Sequence, residues 1–158
     1  MAWTILNFGK YQGKTLPQIL FLDPDWFYWA YDEGVFRNKG QLFNEAEEIY
    51  QKASSIKIPN LDDIERVAEY VIHAPTGKFG KLELVPVSRP PHVGGSPTFR
   101  KNVIDLSVPR QVAHYDKTGC ALLLGNVKYY LFGANVRMTK KKCEDFFNDN
   151  DNFRLKNA

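Results

Sequence analysis

An α+β fold is expected for this chain: an N-terminal β-hairpin with three short helices, then an antiparallel sheet with a C-terminal helix. Three observations carry that expectation. Helix-start signals stand at Thr15, Asp23 and Thr139, each followed by apolar residues at helical spacing. Runs that alternate with period two, bounded by Gly and Pro, occupy much of the stretch from residue 68 to residue 132. The length of 158 residues makes one ordinary domain or two very small ones, enough to bury a core.

Each element has a local cause. Thr4 to Phe8 carries strand-forming residues, and Gly9 and Gly13 bracket Lys10, Tyr11 and Gln12 in a turn. If the turn's edges stay extended, Lys10, Gln12 and Lys14 project on one side and Tyr11 on the other. Thr15 with Gln18 fits a capping box, and Pro17 is tolerated in the first turn of a short helix bearing Leu16, Ile19 and Leu20. Asp23-Pro24-Asp25 supplies an N-cap, a first helical position and a charge that complements the helix dipole, so a second helix should run from Pro24 to Glu33 and stop at Gly34. A third is expected over Asn38 to Ser54, with Leu42, Ala46, Ile49, Tyr50 and Ala53 on one side.

Pro59 marks a junction, which divides the chain into a module over 1–58 and a β-rich module over 61–158, packed as one unit. Ala68 to Ala74 and Lys81 to Val87 read as an antiparallel pair, the second at an edge because Pro86 has no N–H for a central ladder. Ser88 to Lys101 reads as a loop, and Asn102 to Val108 as a further strand. Cys120 to Leu124 and Val127 to Phe132, joined by Gly125-Asn126, read as the central hairpin of the sheet. Thr139 then caps a last helix, Lys140 to Asn148.

The strings NFGKYQGKTLPQI and DPDWFYWAYDEGVF resemble the small C-terminal domain of exodeoxyribonuclease X-like exonucleases. That domain also stands alone in short bacterial proteins of the quorum-sensing-regulated virulence factor family. Phe8, Gly9, Lys10, Tyr11, Gly13, Lys14, Leu16, Asp23, Pro24 and Trp29 carry the resemblance, which covers about the first third of the chain. It implies an accessory nucleic-acid-binding role. It implies no catalysis, because the metal-binding carboxylates of those exonucleases belong to a separate domain.

Charge permits that role without demanding it. The net charge is +3, and the basic excess lies in residues 61–158, with 15 Lys or Arg against 11 Asp or Glu. No signal peptide or membrane-spanning run is visible, and the two cysteines have no paired spacing, so a soluble cytoplasmic protein is expected.

Phosphate contacts are expected from Lys10, Tyr11 and Lys14 at the turn, from Arg89, Arg100 and Lys101 around the Pro-rich loop, and from Lys140, Lys141 and Lys142. These last three occupy a helical first turn, where the dipole disfavours each cation by a few tenths to ~1 kcal/mol, so an anionic partner would account for them. Solvated lysines are the plainer reading. Gly94, Gly95 and Ser96 lack P-loop spacing, and His73, His92, His114, Cys120 and Cys143 reproduce no metal-ligand pattern, so no cofactor is expected. Glu83 and Asp105, if on adjacent strands, would offer two carboxylates to magnesium, short of a nuclease set. Of the aromatics Trp26, Phe27, Tyr28, Trp29 and Tyr31, most belong to the core, with one ring left to stack on a base or partner. The function expected is non-catalytic DNA or RNA binding through backbone contacts. The alternative is a protein-interaction module, such as an inhibitor encoded by a phage or mobile element that docks on a nucleic-acid enzyme.

Overall fold

A computed structural model describes residues 2–60, 62–91 and 96–155. Helix α1 (Leu16–Leu20) starts where the Thr15 N–H donates to Gln18 Oε1 at 3.0 Å, and α2 (Pro24–Asp32) where Asp23 Oδ1 accepts from the Trp26 N–H at 3.1 Å. Helix α3 (Gln41–Ala53) begins after Gly40, at φ 60°, later than its apolar periodicity suggests. Two of its buried residues are charged. Glu45 accepts from the Thr4 N–H and hydroxyl at 3.0 and 2.8 Å, which ties the N-terminal segment to α3. Lys52 pairs with Glu48 and donates to the Phe147 carbonyl at 2.8 Å.

No strand forms over Thr4 to Phe8. The expected hairpin is reduced to one closure, in which the Leu6 N–H donates to the Lys14 carbonyl at 2.9 Å and the Gly13 N–H to the Leu6 carbonyl at 2.8 Å. Gly9 and Gly13 have φ of 76° and 90°, a region that glycine reaches without steric cost.

Strand β1 (Ile56–Lys57) pairs with a distant two-residue strand, and β2 (Arg66–His73) with β3 (Lys78–Pro86) in an antiparallel hairpin. β4 (Thr98–Lys101) takes the other edge of β2, giving the order β3-β2-β4, with Pro86 on an edge strand as its missing N–H requires. The loop reading of Ser88 to Lys101 therefore fails at its C-terminal end, because a free sheet edge recruits those residues. Its centre, 92–95, lies outside the described residues. The strand expected over Asn102 to Val108 shrinks to β5 (Val103–Ile104), the partner of β1. Asp105 turns the chain there by accepting from the Ser107 N–H at 2.8 Å, and α4 (Val108–Val112) follows with Pro109 in its first turn.

The expected central hairpin is instead one helix, α5 (Lys117–Phe132), packed along β3. Its buried residues, Gly119, Cys120, Leu123, Leu124 and Val127, follow a helical period. Asp116 caps it, and Asn126, read as a turn residue, accepts from the Leu82 N–H at 2.8 Å. α6 (Lys140–Asn148) closes the fold against α1. One hydrophobic cluster runs from Trp3 to Phe153 and takes residues from both sides of the Pro59 junction, with Phe21, Phe132, Phe146, Phe147 and Phe153 in edge and stacked contacts. No described helix is long and apolar enough to cross a membrane.

Candidate nucleic-acid interface

The residues singled out in the sequence do not form one surface. Lys10 and Tyr11, expected on opposite sides of the hairpin, converge on Asp23, because the segment is a turn. Lys10 Nζ lies 3.7 Å from Asp23 Oδ2, and the Tyr11 hydroxyl donates to the same oxygen at 2.5 Å. Burial, reinforced by that carboxylate, pushes the phenol well above its ordinary pKa, so Tyr11 serves here as a fixed donor.

Around the sheet, Arg100 Nε donates to the buried Glu69 at 2.8 Å and its Nη2 to the Arg89 carbonyl at 2.8 Å. Arg89 lies 3.6 Å from Glu83, which also pairs with Lys81, and Lys101 pairs with the buried Asp105 at 2.5 Å. Arg100 and Lys101 thus neutralise buried acids. Glu83 and Asp105 do not sit on adjacent strands: β3 neighbours only β2, and Asp105 follows β5 in the other sheet. Among the described residues no group of three or more His, Cys, Asp or Glu side chains is gathered for a metal. His92 lies outside them. Burial pushes the Cys120 and Cys143 thiols up to about 12 and about 11, which keeps both protonated near neutrality.

The start of α6 is different. Thr139 Oγ1 accepts from the Lys142 N–H at 3.1 Å, which fixes the first turn, and Lys140, Lys141 and Lys142 fan out from it. On one side a groove of about 790 Å³ runs between α6, the end of α5 and the segment after β1, lined by Lys57, Ile58, Pro59, Leu131, Phe132, Phe146, Lys141 and Lys142. On the other, a concavity of about 270 Å³ is lined by Lys14, Gln18, Phe21, Lys128, Met138 and Cys143. Lys128 and Lys14 act there against the upward shift of the buried Cys143 thiol.

Lys140 and Lys141 lie 4.0 and 2.6 Å from Glu144 and Asp145, one helical turn on. The Lys141 pair is exposed and contributes little, and Lys140 is itself exposed although Glu144 is part-buried, so both lysines can meet another anion. Among the described residues Lys14, Lys57, Lys128 and Lys142 form no ion pair.

No family model, curated protein or solved structure matches this chain. The geometry therefore carries the functional reading. Of the residues named from sequence, the fold brings Lys14 beside Cys143 in the first turn of α6 and sets Lys10 and Tyr11 against Asp23, Arg89 against Glu83, Arg100 against Glu69 and Lys101 against Asp105, with Lys10 and Arg89 still exposed. It adds Lys57 and Lys128. Lys128 was hidden by reading α5 as a hairpin, whereas Lys57 carried no signal, because its two-residue strand depends on a partner 46 residues away in sequence.

Proposed function

We propose that the protein is a non-catalytic, cytoplasmic accessory protein that binds DNA or RNA through phosphate contacts made around the start of α6. The observation that carries this reading is that cations flank the first turn of α6 on both sides: Lys57 shares the groove with Lys141 and Lys142, and Lys14 and Lys128 line the concavity beside Cys143. Ammonium groups on flexible stems bind phosphates as point charges and read no sequence. The likeness of the Phe8 to Trp29 stretch to the exodeoxyribonuclease X C-terminal domain points toward the same partner. The contacts proposed here centre on α6 and not on the turn which that likeness suggests, where Lys10 and Tyr11 lie against Asp23.

Counterion release supplies the test. Each lost phosphate contact makes the slope of log affinity against log salt shallower by roughly 0.7 to 0.9. A Lys14→Ala, Lys128→Ala, Lys142→Ala variant should bind every oligonucleotide more weakly, with a slope shallower by about 2 to 3. An unchanged slope in a variant that melts like the parent would remove this surface from the site.

A second reading has its own support: six of the eight cations expected from sequence are ion-paired within the chain. That suits a protein-interaction module, such as an inhibitor docking on a nucleic-acid enzyme. Such a partner gives a defined stoichiometry and an apolar anchor in place of a steep salt dependence.

A further inference from the structure

We infer that the groove beside α6 takes unpaired bases, so that the protein selects single-stranded over duplex nucleic acid; this rests on the nucleic-acid reading above. The groove has a mixed construction. Its floor is apolar, built from Leu131 and the half-buried Phe132 at the end of α5, with Ile58 and Pro59 on one wall. Its lining takes lysines from two elements, Lys57 at the end of β1 and Lys142 on α6. A strand lying along it meets ammonium groups with its phosphates while its bases turn down onto ring and aliphatic surface.

The Phe132 ring is held in advance. It makes edge contacts with Phe21 and Phe146 at centroid distances of 5.7 and 5.6 Å, so stacking a base on it orders little that is not already ordered. The volume, about 790 Å³, is that of a site for a sizeable organic group. Two carboxylates also line it. Asp145 is matched by Lys141 at 2.6 Å, and Asp151, together with Asn60, can accept hydrogen bonds from base amino groups.

Duplex chemistry does not fit that floor. In a duplex the base faces are stacked on one another and only edges and phosphates are reachable, so a helix would use the lysines and leave the floor uncovered. An apolar peptide would cover the floor but leave Lys57 and Lys142 without anions. A single strand satisfies both.

The test uses the full chain, a labelled oligothymidylate, and a DNA duplex with the same number of phosphates. The parent is expected to bind the single strand more tightly. Loss of one base-stacking ring lowers affinity by about 5- to 150-fold, so Phe132→Ala should weaken single-strand binding within that range, leaving duplex affinity and the salt slope unchanged. Phe132→Leu keeps the packing against Phe21 and Phe146 while removing the aromatic face, and serves if the alanine variant melts early. Equal affinity for both probes, a preference for the duplex, or single-strand binding that neither Phe132 variant alters would overturn this inference and leave the phosphate surface standing. Absence of binding to either probe would overturn both.

Discussion

Replacing Asp116 with Ala removes a side chain that joins the first turn of α5 to the sheet. Asp116 is buried, with Oδ1 accepting from the Gly119 N–H at 2.7 Å and Oδ2 from the Phe79 N–H at 3.0 Å. Loss of an N-cap costs ~0.5–2 kcal/mol. Leaving the Phe79 N–H buried without an acceptor costs a further ~1–3 kcal/mol. Removing a buried carboxylate returns part of this, because its own desolvation no longer has to be met. A net loss of about 3 kcal/mol follows, which for a chain of this size lowers Tm by roughly 6–12 °C at about 2–4 °C per kcal/mol. Urea unfolding followed by circular dichroism measures the first quantity and a thermal scan the second. Asp116→Asn, which keeps one acceptor, should lose less than the alanine variant. A loss below ~1 kcal/mol for Asp116→Ala would refute the reasoning, since neither the cap nor the Phe79 bond would then matter.

Three further outcomes are expected. Arg100→Ala strands the buried Glu69 carboxylate, so it should cost roughly 3–5 kcal/mol in urea unfolding while leaving nucleic-acid affinity per folded molecule unchanged; a stable variant with weakened binding would return Arg100 to the interface. Gly119→Ala places a Cβ 2.2 Å from Asp116 Oδ2, and because that carboxylate holds two N–H groups it cannot swing aside freely; a loss of roughly 1–3 kcal/mol is expected, and a neutral result would show that the cap relaxes. The folded state keeps the Cys120 and Cys143 thiols protonated to about 12 and about 11, whereas the unfolded chain releases those protons near 9. Their contribution is therefore present in full below pH 9 and lost as pH rises from 9 through 11 to 12. Unfolding midpoints measured across that window should fall, and Cys120→Ala should flatten the decline; stability that rises with pH there would contradict the assignment.

Elements specified by their own residues were legible in the sequence. Asp23 and Thr139 announce α2 and α6 because an N-cap is a contact within one turn, and Pro86 announces an edge strand because it lacks an N–H. Residues 117–132 form a helix although Gly125-Asn126 between apolar runs has the composition of a two-residue hairpin turn. The competing signal was also present: Gly119, Cys120, Leu123, Leu124 and Val127 keep a helical period behind the Asp116 cap. β4 and β5 were illegible in a different way, since a strand of four residues and one of two exist only through partners far off in sequence. The same division applies to the site. Lys140 to Lys142 stand out as cations at a helix start, whereas the placing of Lys57 in the groove with Lys141 and Lys142, and of Lys14 and Lys128 beside Cys143, depends on packing between segments far apart in sequence.

Lysine footprinting tests the proposed phosphate surface around α6, by comparing the acetylation rate of each lysine in the free protein and in the presence of an oligothymidylate. Protection is expected at Lys14, Lys57, Lys128 and Lys142, with Lys10, Lys81 and Lys101 reacting as they do in the free protein. Protection confined to Lys10, Lys81 or Lys101, or none at an oligonucleotide concentration that saturates binding, would contradict it.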